Sequence, residues 1–233
     1  MINRAVYTYC TNQGNNLLCG FYDEDSFVDT FKESLEKAHL YFDTVVVYAD
    51  QEGVDFLTSK GINESFAVVD YSSYDYDRGY WNFPKLITYN LQSERFIHID
   101  TDFILEEQPD NLDKEIVCEK LRGLVIPQRT LKFLPKSVLK YYNPSNICSG
   151  LLGGNPNIFK TLYNVASVLV KPKNQNLSFE NLYGIEEILL GAICKKNNIT
   201  PFGITTEYTH LQGPLPKRDL FLDKITEDQL NVQ

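Results

Sequence analysis

A chain of 233 residues with 43% hydrophobic and 23% charged residues can bury the core of one large α/β domain, or of one domain with a small appendage. Its net charge of −9, from 22 basic against 31 acidic residues, argues against a nucleic-acid binder, which needs a basic face to meet phosphates. No run of about eighteen apolar residues offers a transmembrane segment, the first ten residues lack the order of a signal peptide, and five scattered cysteines (Cys10, Cys19, Cys118, Cys148, Cys194) predict reduced thiols in a cytoplasmic protein.

Residues 5–9 read as a first strand, followed by a polar loop over 11–16. Phe27, Val28, Phe31, Leu35 and Ala38 recur at the spacing of an amphipathic helix over 25–39. Residues 44–49 form a second, buried strand, 52–60 a short helix ended by Gly61, and 66–70 a third strand. The run Tyr71, Tyr74, Tyr76, Tyr80 and Trp81, spaced by Ser, Asp and Gly, reads as a surface loop or as an aromatic platform for an acceptor sugar. A helix follows over 82–92 and a fourth strand over 95–100. Further on, 123–127 and the glycine-rich 147–154 read as strands, and 157–170 and 184–197 as helices. From Asp219 the chain is charged, which sets the expected domain at 1–218 and a C-terminal tail at 219–233.

Strands alternating with helices predict an α/β fold, a single Rossmann-like, mostly parallel sheet with helices on both faces. Ligands in such sheets bind beyond the carboxyl ends of the strands. Three strands end in acids there: Asp50 after the second, Asp70 at the third, Asp100 and Asp102 at the fourth. In an extended segment residues two apart share a face, so Asp100 and Asp102 can reach one cation together. Hard oxygen ligands suit Mg²⁺ or Mn²⁺, and such an ion bridges a diphosphate. That lets an acidic chain hold a polyphosphate ligand, because the cation supplies the positive charge.

The segment 97–105, with Asp100-Thr101-Asp102 at its centre, resembles the Asp-x-Asp strand of GT-A fold glycosyltransferases, closest to the family-eight type that includes glycogenin and lipopolysaccharide galactosyltransferases. Trp81 to Leu86 is similar to that family's helix carrying a basic donor-binding residue, here Lys85. Residues 149–154 resemble the small-residue segment that accommodates the donor sugar, with Ser149 and Gly150 in place and Asn146 or Ser149 standing where the family has an asparagine. His210, Gly213 and Lys217 resemble its His-x-x-Gly-x-x-Lys motif, with the lysine one position late, so that either the loop is longer or Arg218 shares the role.

The resemblance, which spans about Ala5 to Lys217, implies a metal set of Asp100, Asp102 and His210 and donor contacts from Thr101, Gly213 and Lys217. The end of the first strand, Thr8 through Asn12, would hold the nucleoside. Glu186 and Glu187 match an acidic step near the reacting sugar carbon; adjacent helical residues point about 100° apart, so one of the two faces the site, Glu187 being preferred. The implied reaction is transfer of a hexose from a UDP-sugar, with Mn²⁺ or Mg²⁺ and with retention, to a hydroxyl acceptor on a glycan, a lipid-linked glycan or a protein. Two other readings stand beside it. A nucleotidyltransferase normally shows a glycine-rich, basic signature after the first strand, where this chain has one glycine and no basic residue. A sugar-nucleotide-binding protein without turnover is distinguished by the absence of donor hydrolysis.

Overall fold

The computed structural model describes residues 1–11, 18–78, 80, 82–123, 134–142, 145–171, 184–212 and 216–217. Its strands and helices are β1 (Arg4–Tyr9), α1 (Glu24–Tyr41), β2 (Thr44–Ala49), α2 (Gln51–Ser59), β3 (Phe66–Val68), α3 (Phe83–Asn90), β4 (Phe96–Ile99), β5 (Phe103–Leu105), β6 (Ile116–Cys118), β7 (Leu121–Gly123), α4 (Lys136–Leu139), β8 (Ser145–Ile147), β9 (Leu151–Gly154), α5 (Pro156–Leu169), α6 (Ile185–Lys196), β10 (Phe202–Gly203) and β11 (Tyr208–His210).

Seven strands form one sheet in the order β10-β6-β9-β4-β1-β2-β3. β3, β2, β1 and β4 run parallel, β9 is antiparallel to both β4 and β6, and β10 is parallel to β6. Side chains alternate across the sheet, and the alternation divides the core in two. Val6, Phe96, Ile116, Cys118 and Leu152 face a cluster shared with α3, α5 and α6. Ala5, Tyr7, Tyr9, Val45, Val47, Ile97, Ile99 and Val117 face a second cluster closed by α1 and α2. This is the expected α/β architecture, with the layered, mostly parallel sheet that the GT-A resemblance implies.

Local chemistry explains most boundaries. α1 starts where the Asp23 carboxylate accepts from Ser26 N, and its buried stripe of Phe27, Phe31, Leu35 and Ala38 keeps helical spacing. α2 stops at Gly61, whose φ of +77° few other residues tolerate. Pro84 in the first turn of α3 and Pro156 in that of α5 need no hydrogen-bond partner for the missing N–H.

Three expectations are revised. Asp50 and Asp70 do not point into a ligand site: Asp50 caps α2 through Gly53 N and also accepts from Thr11, while Asp70 accepts from Ser72 N at a 3-10 turn. The glycine-rich stretch 147–154 is not one strand, because the chain leaves β8, turns through Cys148, Ser149 and Gly150, and enters β9 in another sheet. In the aromatic run, Tyr71, Tyr76 and Tyr80 are buried in the core instead of forming an exposed platform, and Arg78 stacks on Tyr76. Trp81, residues 124–127 of the strand expected over 123–127 and the tail 219–233 lie outside the described residues, while Gly123 ends β7.

Candidate functional site

The site is built where β4 ends. Four fully buried residues, Phe96 to Ile99, carry the chain to Asp100, whose N–H donates to the carbonyl of Gly150, and Phe103 N returns to Asp100 O to close a tight turn. The turn places Thr101 inward and leaves the Asp100 and Asp102 side chains partly accessible. β5 then pairs antiparallel with β11 in the register Phe103 to His210, and Leu211 N donates to Asp102 O. A three-residue ladder thereby delivers His210 to the acids: its Nε2 lies 3.7 Å from Asp102 Oδ1.

Ligand atoms of Asp100, Asp102 and His210 all lie within 4.8 Å of one another. Bonds of about 2.1 Å place opposite ligands about 4.2 Å apart, so a small closure brings the three into one coordination sphere. Two carboxylates and an imidazole fit a hard divalent cation such as Mn²⁺ or Mg²⁺ and leave positions for phosphate oxygens.

Two lysines flank the acids. Lys85, 5% exposed on α3, donates to Asp100 Oδ1 at 2.7 Å and to the carbonyl of Ser149 at 2.6 Å. Burial alone would lower its pKa, but Asp100 and Glu186 outweigh it and push the ammonium up to about 12. Burial in turn raises Asp100 above the ordinary carboxylate range, against the pull of Lys85. Lys217 Nζ meets Asp102 Oδ2 at 2.7 Å, donates to the carbonyl of Cys19 at 2.7 Å and sits over the Phe21 ring. Cys19 adopts φ +48°, which turns that carbonyl toward the ammonium.

Thr101 is buried and lies beside the Cys19 thiol. Gly150 backs the imidazole: a Cβ there would stand 2.4 Å from His210 Cε1 and 2.8 Å from Glu119 Oε2. Thr8 is one step away; its hydroxyl contacts His98 Nε2 at 2.9 Å and donates to Thr88, while His98 Nδ1 stands 3.6 Å from Asp100. Burial and the Lys85 charge hold His98 well below the usual histidine range, so it is neutral. Glu186 is buried behind Lys85, accepting from Tyr89 OH at 2.8 Å and from Asn82, and Glu187 is 9% exposed with its charge felt by Tyr80 and Cys118. Asn12, Gly213 and Arg218 lie outside the described residues, as does the side chain of Asn146.

One residue at the centre escaped the sequence reading. Glu119, fully buried just after β6, accepts from His210 Nδ1 at 3.0 Å and from the Cys148 thiol at 2.7 Å, and Lys120 Nζ lies 3.1 Å from its other oxygen. Burial raises a carboxyl, yet those donors hold this one down at about 2. An acid directly after the apolar triplet Ile116, Val117 and Cys118 repeats the pattern of Asp100 after β4, and that was the available signal.

Among curated proteins nothing matches the chain. Among solved structures it is similar to mouse xyloside xylosyltransferase 1 in its apo form, at 10% identity and a TM-score of 0.45, over 87% of this chain and 85% of that one. A family model matches residues 4–213, nearly the whole described chain, and the chain therefore belongs to the family of unknown function DUF6734.

Proposed function

We propose that the chain is a metal-dependent glycosyltransferase that moves a hexose from a UDP-sugar to a hydroxyl acceptor with retention of configuration. The observation that carries the reading is the convergence of Asp100, Asp102 and His210, from distant parts of the sequence, at the carboxyl end of a central parallel strand. Ion-binding residues placed in the turn that leaves the strand and on the short strand paired beside it are positioned for a ligand lying across the sheet edge.

In this proposal Asp100, Asp102 and His210 hold Mn²⁺ or Mg²⁺, which supplies Lewis-acid neutralisation of the departing diphosphate. Lys85 keeps the Asp100 carboxylate ionised and aimed by its short ion pair. Lys217 exchanges Asp102 for a phosphate oxygen and offsets charge on the leaving nucleotide, with Gly213 giving the diphosphate close backbone approach. Thr101, Ser149 and Gly150 shape the donor pocket, and Thr8 and Asn12 hold the nucleoside. Glu186 or Glu187 orients the acceptor or offsets transient positive charge on the sugar; no side-chain nucleophile is assigned. The catalytic domain spans 1–218, with 219–233 as a tail. Five free thiols, four of them buried, support a cytoplasmic setting. Among the described residues no helix is long and apolar enough to cross a membrane.

A panel of nucleotide sugars incubated with the protein and Mn²⁺ tests the reading. Slow release of free sugar and nucleoside diphosphate from one donor, abolished by EDTA, is the expected outcome. Metal-dependent binding of a donor with no release would instead mark a binding protein without turnover.

A further inference from the structure

Resting on the metal reading above, we propose that Glu119 is a positioning residue that fixes the imidazole of His210 with its proton on Nδ1 and its bare Nε2 turned toward Asp102. The hydrogen-bond inventory decides the direction. Glu119 Oε2 already accepts from the Cys148 thiol at 2.7 Å, which marks it as an acceptor, so the ring nitrogen 3.0 Å from it is the donor. In the neutral ring that leaves Nε2, which already faces Asp102 Oδ1 at 3.7 Å, with the lone pair that a cation would take.

The surroundings of Glu119 are those of a built support. The residue is fully buried, a location that is costly for a carboxylate unless its oxygens are matched by donors or cations. Three elements supply them: His210 from β11, the Cys148 thiol from the turn after β8, and Lys120 from the chain itself. The backbone is clamped on both sides, Glu119 N to Leu151 O at 2.7 Å and Cys148 N to Lys120 O at 2.9 Å. From the opposite side Gly150 closes the space. A methyl group there would overlap His210 Cε1, His210 Nδ1 and Glu119 Oε2 at 2.4–2.8 Å, so the imidazole and its carboxylate fit only against a residue without a side chain.

Glu119→Gln and Glu119→Leu separate positioning from mere packing. Gln keeps an amide oxygen that accepts from Nδ1–H; Leu keeps bulk and no acceptor. The first readout is the tautomer of His210 in metal-free protein, from imidazole ¹⁵N resonances in alkaline buffer. Wild type and Glu119→Gln carry the proton on Nδ1, whereas Glu119→Leu moves it to Nε2. The second is Mn²⁺ affinity, from the electron paramagnetic resonance of unbound ion. It falls roughly 10-fold in Glu119→Gln and toward 100-fold in Glu119→Leu, the range lost when an outer partner of a metal-bound histidine is removed.

A folded Glu119→Leu protein with the wild-type tautomer and wild-type Mn²⁺ affinity overturns the positioning role and leaves the metal site standing. Should Glu119→Leu not fold, wild-type protein whose neutral His210 carries its proton on Nε2 overturns it equally. Wild-type protein that binds no Mn²⁺ overturns the metal reading itself, whatever the tautomer.

Discussion

His210 pairs with Phe103 at the end of the antiparallel β5–β11 ladder, and this register sets the imidazole beside Asp102. Phe103 is fully buried, stacks on Tyr208 at 4.7 Å and touches the His210 ring, centroids 5.3 Å apart. The strand carrying His210, a proposed metal ligand, is therefore packed as well as hydrogen-bonded onto β5, which begins one residue after Asp102. Phe103→Ala is expected to lower the free energy of unfolding by about 3–5 kcal/mol and to weaken Mn²⁺ binding in the protein that remains folded. Phe103→Leu, which nearly conserves volume, should cost less than about 1.5 kcal/mol and retain the ion. Urea unfolding and Mn²⁺ titration of both variants decide it; an Ala variant that binds Mn²⁺ normally would show that β11 needs no such anchor.

Asp102 is not a free surface acid. It is 13% exposed in its side chain, paired with Lys217 and close to His210. Asp102→Asn keeps the shape and removes the charge, so the fold should survive while Mn²⁺ affinity drops by at least the roughly 100-fold that loss of an outer partner can cause. Calorimetric titration with UDP and Mn²⁺ is the check. Unchanged affinity in a folded variant would remove Asp102 from the ligand set.

Much of the frame could be read from residues because long periodic segments leave a clear imprint. Phe27, Phe31 and Leu35 mark α1, the run Val45 to Ala49 marks β2, and Phe96 to Ile99 marks β4. β6, β10 and β11 hold two or three residues each, too few to display a period, and the ladder that brings His210 home was invisible for that reason. Asp50 and Asp70 misled in a different way. A strand-end acid serves equally as a helix or turn cap, and the signal lay in the backbone amides that follow: Gly53 N for Asp50, Ser72 N for Asp70. Glu119 was missed because its partners, Cys148 and His210, are distant in sequence and meet only once β9 lies between β4 and β6.

Gly153 supports the site from within the sheet. It lies opposite Ile97 in the β4–β9 ladder and Val117 in the β6–β9 ladder, and a Cβ there would stand 2.1 Å from the Phe96 carbonyl oxygen and 2.6 Å from Ile97 Cα. Both obstacles are backbone in central strands, which cannot yield without breaking pairing. Gly153→Ala should therefore destabilise by about 3 kcal/mol or more, at the upper end of overpacking costs, lowering the melting temperature or the soluble yield. A melting temperature equal to wild type would mean that β4 and β9 are spaced more widely than the pairing indicates.

Lys217 makes the two halves of the proposed chemistry separable, because its ammonium acts on them with opposite sign. Its Nζ lies 2.7 Å from Asp102 Oδ2, so in the absence of nucleotide it competes with a cation for that carboxylate. Replacing it with Met removes the competitor, and the affinity for Mn²⁺ alone should rise roughly five-fold, the equivalent of about 1 kcal/mol for one partly screened ion pair. With UDP present the same ammonium is needed on the diphosphate, and a lost charge-assisted contact should weaken UDP binding at saturating Mn²⁺ by roughly 10-fold. Paramagnetic resonance without nucleotide and calorimetry with it measure the two effects on one protein. If both affinities fall together, Lys217 merely holds Cys19 and the segment beside it. If ion binding strengthens while nucleotide binding weakens, the lysine is an exchangeable counter-charge, released from Asp102 when the metal and diphosphate arrive together.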